Sequence, residues 1–183
     1  MQHATVKKFS WWLAWQHERE ERWLGDLSRQ GLHLTRSLPF VSTFALDPSV
    51  RFVYRLDYQP DISGQKRFQE YLDMYADAGW EYQCSLNAWH YFRRPWQPGV
   101  EPELYTDRAS LAQLYTRIQR VLGVVGLANL VIFVANLSNF HRMGELRIPD
   151  PFMAVHLVLV CLLGYGFLRL QNRVRALNRG MDQ

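Results

Sequence analysis

Two uncharged apolar runs dominate the last third of the chain. Residues 121–140 and residues 151–168 contain no Asp, Glu, Lys or Arg. As helices with a rise of about 1.5 Å per residue they would be roughly 30 and 27 Å long, which matches a hydrocarbon core of about 30 Å. The pattern therefore predicts a transmembrane hairpin that anchors a water-soluble domain formed by the earlier residues.

The front of the chain alternates between strand and helix periodicity. Residues 7–15 place Phe9, Trp11, Leu13 and Trp15 on one face of a predicted strand. The predicted elements are, in order, strand 7–15, helix 17–30, strand 32–46, strand 51–58, helix 63–78 and strand 80–94. This mixture predicts an α+β fold.

The second half of this region resembles the first. Corresponding positions carry similar residues: Phe9 and Phe52, Trp11 and Tyr54, Leu24 and Leu72, Gly31 and Gly79. Two such half-domains predict a duplicated ferredoxin-like sandwich, in which one antiparallel sheet has both helices on one face. Breaks at Pro39 and Asn87 leave open an alternative with a hairpin in each half, which gives six strands.

The hydropathy pattern divides the chain into three parts. Residues 1–95 form the duplicated α+β domain, and residues 96–106 are a proline-rich linker. Residues 107–183 contain a helix that Asp107 can cap, the two spans and a basic tail. The helix that begins after Asp107 is amphipathic, as expected of a segment on the inner leaflet that leads into the first span.

Arginines give the predicted hairpin a direction. Seven lie near its outer ends, at Arg108, Arg117, Arg120, Arg169, Arg173, Arg175 and Arg179. The connecting loop has two, Arg142 and Arg147. By the positive-inside rule both termini are cytoplasmic, and the bilayer is the expected partner. The net charge of +4 is explained by contact with phospholipid, and we expect no nucleic-acid binding.

Three segments of the front domain resemble a known bacterial family. They are Glu21-Arg-Trp-Leu-Gly-Asp-Leu-Ser-Arg-Gln-Gly31, Val53-Tyr-Arg-Leu-Asp57, and Ala78-Gly-Trp-Glu-Tyr82 followed by Trp89-His-Tyr-Phe-Arg-Arg94. Over residues 5–95 the chain is similar to the domain of unknown function 2812 family. The resemblance implies a protein of the bacterial cytoplasmic membrane, often encoded near a regulator of the PadR type, and it implies no catalytic residues.

Motifs for catalysis are missing from the sequence. It contains no glycine-rich phosphate loop, nucleophile elbow or Cys-x-x-Cys pair. His17, Glu18, Glu20 and Glu21 crowd one helix start without the spacing of a metal site. We expect them to form a solvated helix face, because acidic residues at a helix start are favoured by the helix dipole. We therefore expect a non-enzymatic protein without a metal or cofactor.

Aromatic residues give the front domain its candidate functional surface. If both helices cover one face of the sheet, the strand face carrying Trp12, Val53, Arg55 and Asp57 meets water. Together with Trp89 and His90, these residues form the predicted ligand or partner surface. Self-association through this face is the simplest expectation.

Polar and small residues give the predicted hairpin a packing seam. Asn129 and Asn136 are seven residues apart and share a helix face with Gly126, and His156 could pair with them. The chain is thus predicted to be a membrane-anchored regulatory, sensory or adaptor protein that binds a partner or a small apolar ligand. The alternative is an accessory subunit of a membrane transport or envelope-stress complex that docks through the hairpin.

Overall fold

The computed structural model describes residues 5–100, 102–105, 107–143 and 151–179. Its strands are β1 (Thr5–Ser10), β2 (Leu32–Leu38), β3 (Phe40–Leu46), β4 (Phe52–Tyr58), β5 (Glu81–Leu86) and β6 (Trp89–Pro95). Its α-helices are α1 (His17–Arg29), α2 (Gln65–Asp77), α3 (Arg108–Met143) and α4 (Pro151–Arg179), with a short 3₁₀ helix at Ala14–Gln16. The chain divides into two compact units, Met1–Thr106 and Asp107–Gln183, here called the front unit and the helical unit.

The strands of the front unit form two three-stranded antiparallel sheets. The first has the order β1-β3-β2 and the second the order β4-β6-β5. Each sheet therefore comes from a strand, a helix and a hairpin in sequence. The α+β class is confirmed, and the six-strand alternative describes the observed elements better than a single ferredoxin-like sheet.

The two halves of the front unit share several local features. The helices α1 and α2 are followed by Gly31 and Gly79, which have φ angles of 77° and 80° and allow the chain to turn into the next strand. The strand after each helix carries a register shift, at Leu34/Arg36 in β2 and at Tyr82/Cys84 in β5. Descent of both halves from one duplicated segment stays a prediction.

The two helices lie on opposite faces of the second sheet. Neighbouring strand residues point to opposite faces, and Tyr91 and Phe92 in β6 separate in this way. Tyr91 packs in a core with Leu24 of α1, whereas Phe92 packs in a second core with Tyr75 of α2, at 4.4 Å between ring centroids. The expectation that both helices cover one face is therefore wrong.

Strand β1 is shorter than predicted and presents its other face to the core. It ends at Ser10, whose hydroxyl lies 2.9 Å from that of Ser42 in a buried contact, while Phe9 is 74% exposed. The next residues turn into the 3₁₀ helix, which buries Trp15. Alternation predicted a strand correctly at residues 7–10 and wrongly at residues 11–15, and it does not say which of two mixed faces is buried.

The helical unit consists of two long apolar helices that pack against each other. Gly123 and Gly126 of α3 allow close approach, because a Cβ atom there would lie 3.2 Å from Phe167 and 3.6 Å from Leu163 of α4. Asp107 accepts a 2.7 Å hydrogen bond from the Ser110 backbone N–H, the contact expected of a helix-capping residue.

Both helices are long and apolar enough to cross a membrane. Only 6% and 11% of their most apolar windows are buried, which is unlike the core helices of a soluble protein. The helical unit could thus form the predicted hairpin. Residues 141–143 of the predicted loop at 141–150 belong to α3, and its last seven residues, 144–150, lie outside the described residues.

Candidate ligand-binding site

A cavity of about 190 Å³ lies at one end of the front unit. Its walls come from the end of β1, the 3₁₀ helix, the first turns of α1, and the two turns that join β2 to β3 and β5 to β6. The lining therefore includes residues from both sheets. Neither half of the front unit builds the cavity by itself.

A buried carboxylate is the chemical centre of the lining. Glu20 is 7% exposed, and its Oε1 accepts a 2.8 Å hydrogen bond from the Tyr91 hydroxyl. Burial raises the pKa of Glu20 to about 7, and the hydrogen bond from Tyr91 opposes part of this rise. Near neutral pH the carboxyl group therefore exists in both protonation states.

Helix and strand geometry bring the polar groups of the cavity together. His17 and Glu20 are three residues apart on α1 and so lie on one helix face. Tyr91 lies on β6, and its hydroxyl interacts with the Ser37 side chain of β2. Burial and the nearby Glu20 raise the pKa of Tyr91, so this phenol stays protonated.

Aromatic rings form much of the remaining wall. Trp11, Trp12, Trp89 and Tyr91 all line the cavity. The Trp89 ring stacks on His17, with 5.4 Å between ring centroids. Trp12 is half-buried, and its indole N–H has no hydrogen-bond partner among the described residues.

The two hairpin turns complete the walls with residues in an uncommon conformation. Phe40 and Asn87 line the cavity and have φ angles of 67° and 53°. Asparagine tolerates this left-handed region, whereas a bulky residue such as Phe40 rarely adopts it. Phe40 stacks on exposed Phe9, with 6.4 Å between ring centroids, so apolar surface continues outward from the cavity.

A second buried carboxylate lies on the opposite face of the second sheet. Asp57 is fully buried and accepts hydrogen bonds from Tyr71 at 2.9 Å, from Tyr75 at 3.1 Å and from Tyr105. Leu104 packs on the aromatic core next to these residues. This arrangement fixes the end of the proline-rich segment to the front unit, so we interpret the Asp57 cluster as structural.

Glu21, the neighbour of Glu20, serves a different contact. Its Oε1 accepts a 2.9 Å hydrogen bond from the Leu56 backbone N–H, and its Oε2 lies 3.9 Å from Arg55 Nε. Arg55 Nε also lies 3.6 Å from Glu103. Burial raises the pKa of Glu21 to about 8, while Arg55 acts in the opposite direction. Glu21 does not belong to the cavity lining.

The residues predicted to form one ligand or partner surface lie in different places. These residues are Trp12, Val53, Arg55, Asp57, Trp89 and His90. Trp12 and Trp89 line the cavity, whereas Val53 and Arg55 are half-buried in β4. Asp57 and His90 are buried, and the His90 ring contacts Tyr71 of α2 at 5.3 Å. The expected exposure of this strand face is wrong, because α2 and residues 103–105 cover it.

The predicted seam of the hairpin shows mixed contacts. Gly126 faces Leu163 of the other helix, but the Asn129 amide donates to the Val125 carbonyl of its own helix at 2.9 Å. Asn136 and His156 are half-buried. A role for the asparagines in joining helices stays a prediction.

The arginines that set the predicted orientation lie towards the outer ends of α3 and α4. Arg173 donates a 3.0 Å hydrogen bond to the Tyr115 hydroxyl, and Arg169 contacts Tyr165 at 3.3 Å. The other five are partly or largely exposed: Arg108, Arg117, Arg120, Arg175 and Arg179. Their distribution is compatible with a basic membrane boundary.

Sequence reasoning missed the most informative cavity residues. It assigned His17 and Glu20 to a solvated helix start, but both are buried. A signal was present, because Glu20 precedes Leu24 and Leu27 by four and seven residues and therefore lies on the apolar stripe of α1. Tyr91 carried no comparable local signal, since its partner is distant in sequence.

Comparison with known proteins identifies a family without a described activity. Residues 16–127, more than half of the chain, match the family model described as "Protein of unknown function (DUF2812)". No curated protein and no solved structure matches the chain. That the protein is encoded near a regulator of the PadR type stays a prediction. The match extends from α1 into α3. Because it covers more than half of the chain, the chain belongs to the DUF2812 family.

Proposed function

We propose that this chain is a membrane-anchored, non-catalytic sensory or regulatory protein whose front unit binds a small ligand. The observation that carries this proposal is the cavity around Glu20, which combines a buried carboxylate with several aromatic rings. Binding sites typically pair an apolar wall with a few polar groups that orient the ligand. The ligand is small, since the cavity is below the roughly 300–1,000 Å³ of drug-sized sites.

The titratable groups near Glu20 favour binding over nucleophilic catalysis. Burial raises the pKa of the Tyr91 phenol, and it raises the pKa of the Cys84 thiol to about 11. Nucleophilic catalysis by such groups requires a deprotonated or activated form. Both groups are protonated at neutral pH, which supports a binding site.

The helical unit supports the membrane anchor. Most of the apolar surface of α3 and α4 is exposed, and such surface is stable in a hydrocarbon environment. The arginine distribution supports insertion into the bacterial cytoplasmic membrane with both termini in the cytoplasm. In this proposal, the front unit binds a ligand from the cytoplasm.

The ligand-binding proposal can be tested with small aromatic probes. Full-length protein in an uncharged detergent would be mixed with benzyl alcohol, benzylamine and benzoate, and binding would be followed by saturation-transfer NMR. Ala14→Phe adds bulk to the cavity lining, whereas Ala76→Phe adds the same bulk to the exposed side of α2. We expect Ala14→Phe to abolish binding and Ala76→Phe to preserve it. Equal binding by both variants would contradict the proposal.

The anchor and its direction need a separate experiment. We expect the chain to stay in the membrane fraction after alkaline carbonate extraction. Reporter fusions after Gln183 should be active in the cytoplasm, and fusions in the loop at Gly144 should be active outside it. Release into the soluble fraction would refute the anchor, whereas an exported carboxyl end would refute the orientation.

The exposed helices also favour a second candidate function, docking onto a larger membrane complex. Their apolar surface could pack against the helices of a transport or envelope-stress partner. Cross-linked co-purification from native membranes would compare wild type with the Asn129→Leu, Asn136→Leu double variant and with Trp12→Ala. Loss of a complex only in the double variant would favour docking, and loss only in Trp12→Ala would favour the front unit.

A further inference from the structure

We propose that the cavity around Glu20 selects a small organic ammonium cation. This inference rests on the proposed ligand-binding function and specifies the chemical class of the ligand. It follows from the charge of the lining, from the aromatic rings that surround it and from the size of the cavity.

The charge of the lining favours a cation. Glu20 is the acidic residue of the lining, and none of the described residues in the lining is Lys or Arg. A buried carboxylate is unstable without a compensating positive charge or several hydrogen bonds. Tyr91 supplies one hydrogen bond. A bound cation would supply the missing charge, whereas an anion would be repelled.

The aromatic rings favour an organic cation over a metal ion. Trp11, Trp12, Trp89 and Tyr91 place aromatic rings around the same space. Aromatic rings attract alkylammonium groups, which are weakly hydrated and partly apolar. Divalent metal ions instead require several oxygen, nitrogen or sulfur ligands, and the described residues contain no cluster of three His, Cys, Asp or Glu that could hold one.

The position of the carboxylate links binding to protonation. At pH values below its pKa of about 7, Glu20 must lose its proton before it pairs with a cation. The other titratable groups near Glu20 are His17 on α1, Tyr91 on β6 and Cys84 on β5. Tyr91 and Cys84 stay protonated at neutral pH. The contribution of Glu20 can therefore be separated from that of His17 by a Glu20→Gln variant.

Choline and 3,3-dimethylbutan-1-ol form a suitable pair of probes, because they have nearly the same shape and differ in charge. Binding to the full-length protein in an uncharged detergent would be measured by saturation-transfer NMR and by tryptophan fluorescence. We expect wild type to bind choline at least tenfold more tightly than the neutral alcohol. Raising the pH from 6 to 8 should strengthen choline binding about fivefold, because the ionised fraction of Glu20 rises from about 9% to about 91% while the protonated form keeps about a tenth of the affinity.

The adjacent carboxylates provide a matched pair of variants. Glu20→Gln should weaken choline binding about tenfold and remove most of its pH dependence, while binding of the neutral alcohol stays unchanged. Glu21→Gln should leave choline binding within twofold of wild type, since Glu21 contacts Leu56 and Arg55 outside the cavity. Circular dichroism and thermal melting would confirm that both variants are folded.

The outcomes distinguish the ligand class from the binding function. Equal binding of choline and the neutral alcohol, with no effect of Glu20→Gln, would overturn the cation proposal and leave a cavity that binds neutral molecules. Equal weakening by Glu20→Gln and Glu21→Gln would also overturn it, because the effect would then not be specific to the cavity. Failure of both probes and of the aromatic probes above would refute the binding function as well.

Discussion

Glu20 occupies a position that is more stable when its carboxyl group is protonated. Its pKa in the folded protein is about 7, compared with about 4.5 for an ordinary glutamate. Below pH 4.5 both folded and unfolded chains are protonated at this residue, and ionisation has no effect on stability. As the pH rises towards 7, the unfolded chain ionises first, so the folded state loses stability. Above pH 7 the loss is complete.

This difference predicts how Glu20→Gln affects stability. Glutamine keeps an oxygen that can accept the Tyr91 hydrogen bond but cannot ionise. We expect the variant to equal wild type near pH 4.5 and to be more stable above pH 7, by up to about 3 kcal/mol. Tryptophan fluorescence during thermal unfolding of the full chain reports on the front unit, because every tryptophan lies before residue 97. A stability difference that does not change with pH would contradict the assigned cause.

At the level of elements, the glycines that follow α1 and α2 differ in how much space surrounds them. Both Gly31 and Gly79 have positive φ angles, which an L-residue adopts at a cost of about 1–2 kcal/mol. A Cβ at Gly31 would also lie 2.8 Å from Pro48 Cα, whereas the nearest atom at Gly79 is the end of the flexible Arg94 side chain at 3.7 Å. The turn after α1 is therefore the less tolerant of the two.

We expect Gly31→Ala to destabilise the front unit more than Gly79→Ala does. The difference should exceed about 1 kcal/mol, because the Pro48 backbone cannot easily move away. Gly25→Ala is the control within α1: no atom lies within 4 Å of its Cβ position, and alanine favours the helix by about 0.5–1 kcal/mol. Thermal melting of the three variants checks the order. Similar melting temperatures for Gly31→Ala and Gly79→Ala would contradict the role of Pro48.

Most elements of the front unit could be predicted from the sequence, whereas their burial could not. Hydrophobic periodicity, together with the turn-forming residues Gly31, Gly79 and Asn87, indicated two helices and the strand segments. Alternation defines two strand faces. When both faces contain aromatic and polar residues, as around Phe9, it does not show which of them is buried. Asp57 was assigned to water because both helices were expected on the other face of the sheet, but three phenols from α2 and residue 105 stabilise its carboxylate in the core.

At the scale of the whole molecule, the helical unit depends on small residues where α3 meets α4. A side chain larger than alanine at Gly123 would overlap the Phe167 ring, since even a Cβ lies 3.2 Å away. Gly164 of α4 provides a control, because its Cβ position has no atom within 4 Å. In a membrane environment, close packing of this kind supplies much of the attraction between helices.

We therefore expect Gly123→Leu to weaken the pairing of α3 with α4, by about 1–3 kcal/mol, and Gly164→Leu to have little effect. Far-UV circular dichroism during thermal unfolding in mild detergent would detect the loss as a lower transition temperature of the helical signal. The fluorescence transition of the front unit serves as an internal reference. Equal transitions for the two variants would show that the helices do not pack as described.

The shared construction of the cavity has a consequence for its origin. Phe40 and Asn87 belong to the turns of different halves, yet both line one space with Glu20 of α1. If the front unit arose by duplication, a single ancestral strand-helix-strand-strand module would have needed a second copy to enclose the same space.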